Sequence, residues 1–155
     1  MAVITLTTDF GTRDGYVGAM KGVIARLCNA TVVDLAHDIP RHDIAHAAWV
    51  VATACLEFPR DTIHVVVVDP GVGGARRGVI VRTGGQLFVG PDNGVFGYVA
   101  NEVSEAWEIR FPRFMARRVS PTFHGRDVFA PSAALLHGGE SPNHAGPMVK
   151  LVGTL

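Results

Sequence analysis

Apolar and polar positions alternate along the chain in short runs of two kinds, and the two kinds take turns. "AVITLTT" at residues 2–8 is dense in β-branched residues and predicts a buried first strand, ended by Asp9, Phe10 and Gly11. From about Asp14 to Cys28, Val17, Met20, Val23, Ile24 and Leu27 recur near helical spacing, which predicts a helix with Asp14 as its cap. "ATVVDLAHDIP" (30–40) reads as a second strand entering a polar loop, and about Asp43 to Glu57 as a second apolar helix. "PRDTIHVVVVDPG" (59–71) supplies a third strand. Two short strands then flank Gly84-Gly85, "EAWEIRF" (105–111) predicts another, and "DVFAPSAALLHGG" (127–139) a helix stopped by its glycines. Pro131 fits only the first turn of that helix. The tail "GPMVKLVGTL" (146–155) is apolar and strand-like.

Strand, helix, strand, helix, strand is the pattern of a mainly parallel sheet covered by helices: an α/β fold, a Rossmann-like three-layer sandwich. In such sheets ligands bind beyond the carboxyl ends of the strands. Acids fall at three such ends: Asp9, the stretch Asp34 to Asp38, and Asp69.

Composition narrows the picture. With 155 residues, 48% hydrophobic and 18% charged, the chain predicts one compact domain. Fourteen basic residues balance fourteen acidic ones, so no net field recruits nucleic acid or an anionic membrane. The N-terminus lacks a basic signal-peptide start, and no run reaches transmembrane length, so a soluble, cytoplasmic protein is expected. The two cysteines, Cys28 and Cys55, lie in helix-like segments without CxxC spacing and read as buried free thiols.

The candidate chemistry sits in the loops. "VVVVDPGVGGARRG" (65–78) delivers Asp69 to a strand tip, then spends glycines at 71, 73 and 74 before Arg76 and Arg77. An arginine within a few ångströms keeps a carboxylate ionised, and the glycines permit positive φ and close backbone approach. The same residues also fit a structural ion pair in a turn. Asp9 suits either a pair of ligand hydroxyls or a cap. "HDIAH" (42–46) places His42 and His46 four apart, as zinc ligands stand on one helix face, with Asp43 between them. "SPTFHGRDVFAPSA" (120–133) gathers Phe123, His124, Arg126 and Asp127 before a helix, and a histidine there can relay a proton. "GPDNGVF" offers Asp92 and Asn93 to a ligand, or forms an ordinary turn.

Taken together, "TTDFGTRDGYVGAMKG", "VVDLAHDIP", "VVVVDPGVGGARR", "FVGPDNGVF" and "SPTFHGRDVFAP" resemble one family over essentially the whole chain. It is similar to the N-terminal domain of the S-adenosyl-methionine hydroxide adenosyltransferases, relatives of the chlorinase and fluorinase enzymes. The resemblance implies cleavage of S-adenosyl-L-methionine by water at C5′ to adenosine and L-methionine, with no cofactor and no metal. It puts an aspartate, arginine and histidine set on Asp69, Arg76 and His124, and a ribose-holding acid on Asp9. His42 lies where a halogenating relative places an aromatic residue against the substrate; Asn93 and Phe123 join Asp9, Asp69 and His42 as binding candidates. "DPGVG" and "FHGRD" favour water over halide. The resemblance also implies a β-rich C-terminal domain that recognises adenine and a homotrimer when that domain is present. On that reading residues 1–155 are the N-terminal catalytic domain, the C-terminal domain is absent, and the last ten or so residues are a linker to it. A zinc hydrolase built on the HDIAH segment and a non-catalytic nucleoside-binding module are the alternatives.

Overall fold

The computed structural model describes residues 2–153 and 155. Six strands form one mixed sheet: β1 (Val3–Thr8), β2 (Thr31–Ala36), β3 (Ile63–Val67), β4 (Gly78–Thr83), β5 (Gln86–Pro91) and β6 (Glu105–Glu108), in the order β2-β1-β3-β5-β4-β6. The β1–β2, β1–β3 and β3–β5 pairings are parallel. β4 runs antiparallel to both β5 and β6. Three α-helices cover the sheet: α1 (Tyr16–Leu27), α2 (Ile44–Ala54) and α3 (Ala130–His137).

Side chains that alternate along the strands sort the core into two layers. Ile4 and Leu6 of β1 and Val65 and Val67 of β3 pack with Met20 and Ile24 of α1 and with Ala133 and Leu136 of α3. On the other face Val66 and Phe88 pack with Ala47 and Val51 of α2. β3 is buried along its whole length, as the run of valines predicts for a strand covered on both sides.

The chain leaves β1 through α1 toward β2, then returns through α2 on the opposite face to β3. The winding direction therefore reverses between β1 and β3, where a crevice opens at the strand ends. Asp9 and Asp69 lie just beyond those two ends.

Several local expectations are corrected. α1 begins at Tyr16 after Gly15, and no side chain caps it, so Asp14 is not its cap. Asp43 is instead the cap of α2, accepting from His46 N at 3.0 Å. Cys55 is buried but Cys28 is only half-buried, because it stands just past the end of α1; both thiols are free. Among its described residues the tail makes a single bridge, Met148 to Trp107, instead of a strand. Asp92 restrains it by accepting from Val152 N and Gly153 N and by pairing with Arg77. Among the described residues no helix is long and apolar enough to cross a membrane.

A polar trio, Thr5, His64 and Gln86, lies inside the core. His64 of β3 stands opposite Thr5 of β1 in register and stacks on Phe88 of β5. Gln86 Nε2 donates to the carbonyls of Cys55, Phe58 and Pro59, so its Oε1 is left to accept from His64 Nε2 at 3.2 Å. His64 Nδ1 then accepts from Thr5 Oγ1 at 2.6 Å. Burial disfavours the charged ring, and its pKa is pushed down from 6.5 to about 4, the Gln86 bond opposing the shift.

Unfolding must therefore take up a proton at this ring as the pH drops from 6.5 toward 4. His64 favours the folded state fully above that window and loses its contribution through it, about 3 kcal/mol in all. Urea titrations across this range should show the loss in the wild type and a flatter profile in His64→Gln. Identical profiles would assign the acid lability to other groups.

Candidate active site

The crevice between β1 and β3 widens into a cleft of about 630 Å3. Its walls come from four segments. Asp9, Phe10, Asp14 and Tyr16 follow β1; Arg41 and His42 precede α2; Asp69 and Val72 follow β3; and residues 120 and 122–126 precede α3. A volume of this order suits a nucleoside-sized ligand.

At its floor Asp69, Arg76 and His124 form one connected group. Arg76 Nε donates to Asp69 Oδ1 at 2.9 Å, and its Nη2 donates to Asp69 Oδ2. The same Nη2 donates to His124 Nδ1 at 2.9 Å. The side chains of Asp69 and Arg76 are only 4% and 13% exposed, so this is a largely desolvated fork, and removing one partner would strand the other. The Phe129 ring packs 5.4 Å from the guanidinium carbon and holds it from behind.

A guanidinium can only donate, so His124 Nδ1 must accept, and the neutral ring carries its proton on Nε2. Burial pushes the His124 pKa below 6.5, and the Arg76 charge lowers it further; Asp69 and Asp127 pull the other way without winning.

The loops are held in place by packing that the glycines allow. Gly73 has φ 75° and lies so close to the Pro121 carbonyl that a Cβ there would collide with it. The expected close approach is thus realised against the 120–124 loop of the same chain. Beyond His124 the backbone makes a π turn over Gly125–Phe129 before α3 begins, an irregularity common at functional sites. Asp127 anchors this turn by accepting from Ser120 N at 2.8 Å and from Arg126 Nε at 2.7 Å.

At the mouth, Phe10, Tyr16 and Phe123 meet edge to face or tilted, with ring centroids 5.4–6.1 Å apart. Arg126 lies over Phe123 at 4.8 Å. Asp9 Oδ2 accepts from His42 N at 2.8 Å, and His42 takes the left-handed region at φ 64°.

The cleft thus brings together Asp69, His124, Asp9, His42 and Phe123, with Arg76 just behind the first two. Asn93 is placed elsewhere. Its Nδ2 donates to Val68 O and its Oδ1 accepts from Val95 N, so it holds the turn after β5. Arg77, next in sequence to Arg76, turns away to Asp92 and Lys150 O. The helical histidine pair does not form: His42 stands before α2, whose first residue is Ile44. Among the described residues no three His, Cys, Asp or Glu side chains are grouped as a metal site requires. Sequence reasoning did not single out Tyr16 or Arg41 as lining residues, although Tyr16 lies within the TTDFGTRDGYVGAMKG segment. Phe10, directly after Asp9 at the strand end, was a detectable signal.

The chain matches the family profile for the SAM hydroxide adenosyltransferase N-terminal domain over residues 4–146. It is 46% identical over 151 residues to an (R)-S-adenosyl-L-methionine hydrolase of Salinispora arenicola, covering 95% of this chain and 58% of that protein. It is 42% identical over 159 residues to the (R)-S-adenosyl-L-methionine hydrolase of Methanocaldococcus jannaschii, covering 96% and 59%. A crystal structure of a conserved Thermotoga maritima protein superposes with a TM-score of 0.92 at 36% identity, covering 99% of this chain and 61% of that one. The chain thus spans just under three-fifths of the curated relatives it matches.

In Gly73→Ala the new methyl meets the Pro121 carbonyl on strained backbone, at a cost of about 1–3 kcal/mol in stability. The 120–124 loop should move off Arg76. Nitrogen-detected NMR of the wild type should find His124 protonated on Nε2 and titrating below 6.5. In Gly73→Ala its titration should move up toward 6.5, as burial and the Arg76 charge are both relieved. An unshifted titration would mean that Gly73 does not set the loop.

Proposed function

Because this chain belongs to the SAM hydroxide adenosyltransferase family through its N-terminal domain, we propose that it hydrolyses S-adenosyl-L-methionine to adenosine and L-methionine. The observation that carries this reading is the Asp69–Arg76–His124 group at the floor of a nucleoside-sized cleft. Three curated relatives above 40% identity bear the name of this hydrolase.

The chemistry sets a particular demand. The sulfonium departs as a neutral thioether, so the leaving group needs no acid; the attacking water must be aligned with C5′ and must lose a proton. His124 presents an Nε2–H, not a free lone pair, while Arg76 occupies its Nδ1. In that state the ring orients the water as a donor instead of taking its proton. Asp69 is the anion of the group. Arg76 takes one lone pair on each of its oxygens and leaves the others for the water. The water oxygen forms the bond to C5′, the C5′–S bond breaks with its electron pair going to sulfur, and the proton moves to Asp69 and on to solvent. Arg76 holds both partners in register, and alignment of this kind is the main source of rate. Asp9 would hold the ribose hydroxyls, and Phe10, Tyr16 and Phe123 would shield the reacting carbon from bulk water. Assembly as a homotrimer and a cytoplasmic location belong to the same proposal.

Chromatography of the chain incubated with S-adenosyl-L-methionine should reveal adenosine and methionine in equal amounts. Formation of 5′-chloro-5′-deoxyadenosine in chloride would make it a halogenase. Adenosine binding without any turnover would make it a nucleoside-binding module. Arg76→Ala should lower kcat at least 100-fold, at the lower end of proton-transfer and alignment effects, with KM changed only a few-fold; equal losses in both would remove Arg76 from the chemistry. Turnover should hold steady down to about pH 6.5 and fall only in more acid solution. There protonated His124 places a proton on Nδ1 against Arg76. His124→Asn should lose that acid limb.

A further inference from the structure

We propose that His37 is a positioning residue for the Asp9 carboxylate, acting through Thr8 and anchored by Asp34 and Lys21; this rests on the reading of Asp9 as the holder of the ribose hydroxyls. His37 is 7% exposed and follows β2 at its end beside the loop that leaves β1. It grips that loop at two points. Its carbonyl accepts from Gly11 N at 2.8 Å, and its Nδ1 is 2.8 Å from Thr8 Oγ1. Thr8 Oγ1 also accepts from Phe10 N at 3.2 Å. Asp9 therefore lies between two residues tied to His37, Thr8 through the imidazole and Gly11 through the backbone carbonyl.

The donors settle the direction of the chain of bonds. Asp34 Oδ1 can only accept, so the neutral ring carries its proton on Nε2, and Nδ1 accepts the Thr8 hydroxyl hydrogen. The Nε2–H donates to Asp34 Oδ1 at 2.8 Å, and Lys21 Nζ of α1 donates to Asp34 Oδ2 at 2.7 Å. The arrangement resembles the carboxylate that fixes a histidine's tautomer and ring plane in many sites. Here the ring it fixes does not reach the cleft. Through Thr8 it holds the start of the turn that runs to Gly11, where φ is 69°, and so the direction in which Asp9 enters the cleft. From the opposite side His42 N donates to Asp9 Oδ2 at 2.8 Å, and the carboxylate is held between these two restraints. A displaced loop leaves Asp9 in the protein but misaims it, so the loss should fall on ligands that carry the hydroxyl pair.

The test compares adenosine with 2′,3′-dideoxyadenosine, which lacks that pair, by NMR titration, and measures amide hydrogen exchange at Phe10 and Gly11. The wild type should bind adenosine at least 10-fold more tightly. In His37→Leu this preference should shrink to within about twofold while dideoxyadenosine binding stays unchanged, and exchange should speed at least 10-fold at Phe10 but not at Gly11, whose bond to the backbone carbonyl of residue 37 is kept. His37→Asn, whose side-chain oxygen falls near the Nδ1 position and can accept from Thr8, should recover most of the preference. Thr8→Val should lose it with His37 intact, which covers the case in which His37→Leu does not fold. A full preference in His37→Leu or in Thr8→Val would overturn the proposal. A wild type with no preference, or no binding, would instead sink the Asp9 reading. Exchange at Phe10 would then decide for or against His37 by itself.

Discussion

A single guanidinium with two anchors organises the cleft. Arg76 spends Nε and Nη2 on Asp69 and shares Nη2 with His124, so the loop between β3 and β4 and the segment before α3 can occupy only one mutual arrangement. A lysine could not do this, because a point charge lacks the planar fork that orients a carboxylate and an imidazole together. The arrangement also fixes the protonation state. A ring that must accept from arginine stays neutral with its proton facing outward, and burial reinforces that choice.

Holding these segments to such a tolerance requires the scaffold to be stiff where they leave it. β3 is buried on both faces and delivers Asp69 two residues past its end, with little freedom to wander. Gly73 lets the following loop lie against Pro121, which ties it to the segment carrying His124. The π turn after His124 lets the chain enter α3 while Asp127 fastens Ser120 and Arg126 to it. The reversal of winding between β1 and β3 supplies the space in between.

Three histidines divide different kinds of work. His64 is a core residue, satisfied by Thr5 and Gln86 and remote from the cleft lining. His37 stabilises the turn behind Asp9 without reaching the cleft. His124 alone of these three lines it. A histidine's chemistry is set by what its two nitrogens meet, and none of those partners is a sequence neighbour except Asp34.

Patterns of local origin were readable from the chain itself. Period-two and period-3.6 apolar runs defined the strands and helices of the α/β sandwich, because burial on a strand or a helix face imposes those spacings directly. The acids after β1 and β3 were visible as strand ends, and the DPGVG and FHGRD segments marked the loops. Helix caps were less secure: Asp14 and Asp43 look alike in sequence, and only the geometry of the entering chain decides which carboxylate meets a free N–H. The same limit explains Asn93, whose amide is used up by Val68 and Val95, and the HDIAH pair, which separates because His42 takes a left-handed backbone outside α2. Arg76 and Arg77 are adjacent and chemically identical, yet one faces Asp69 and the other Asp92. Successive side chains point to opposite sides of an extended segment, and which side holds the cleft is settled only when distant strands pair.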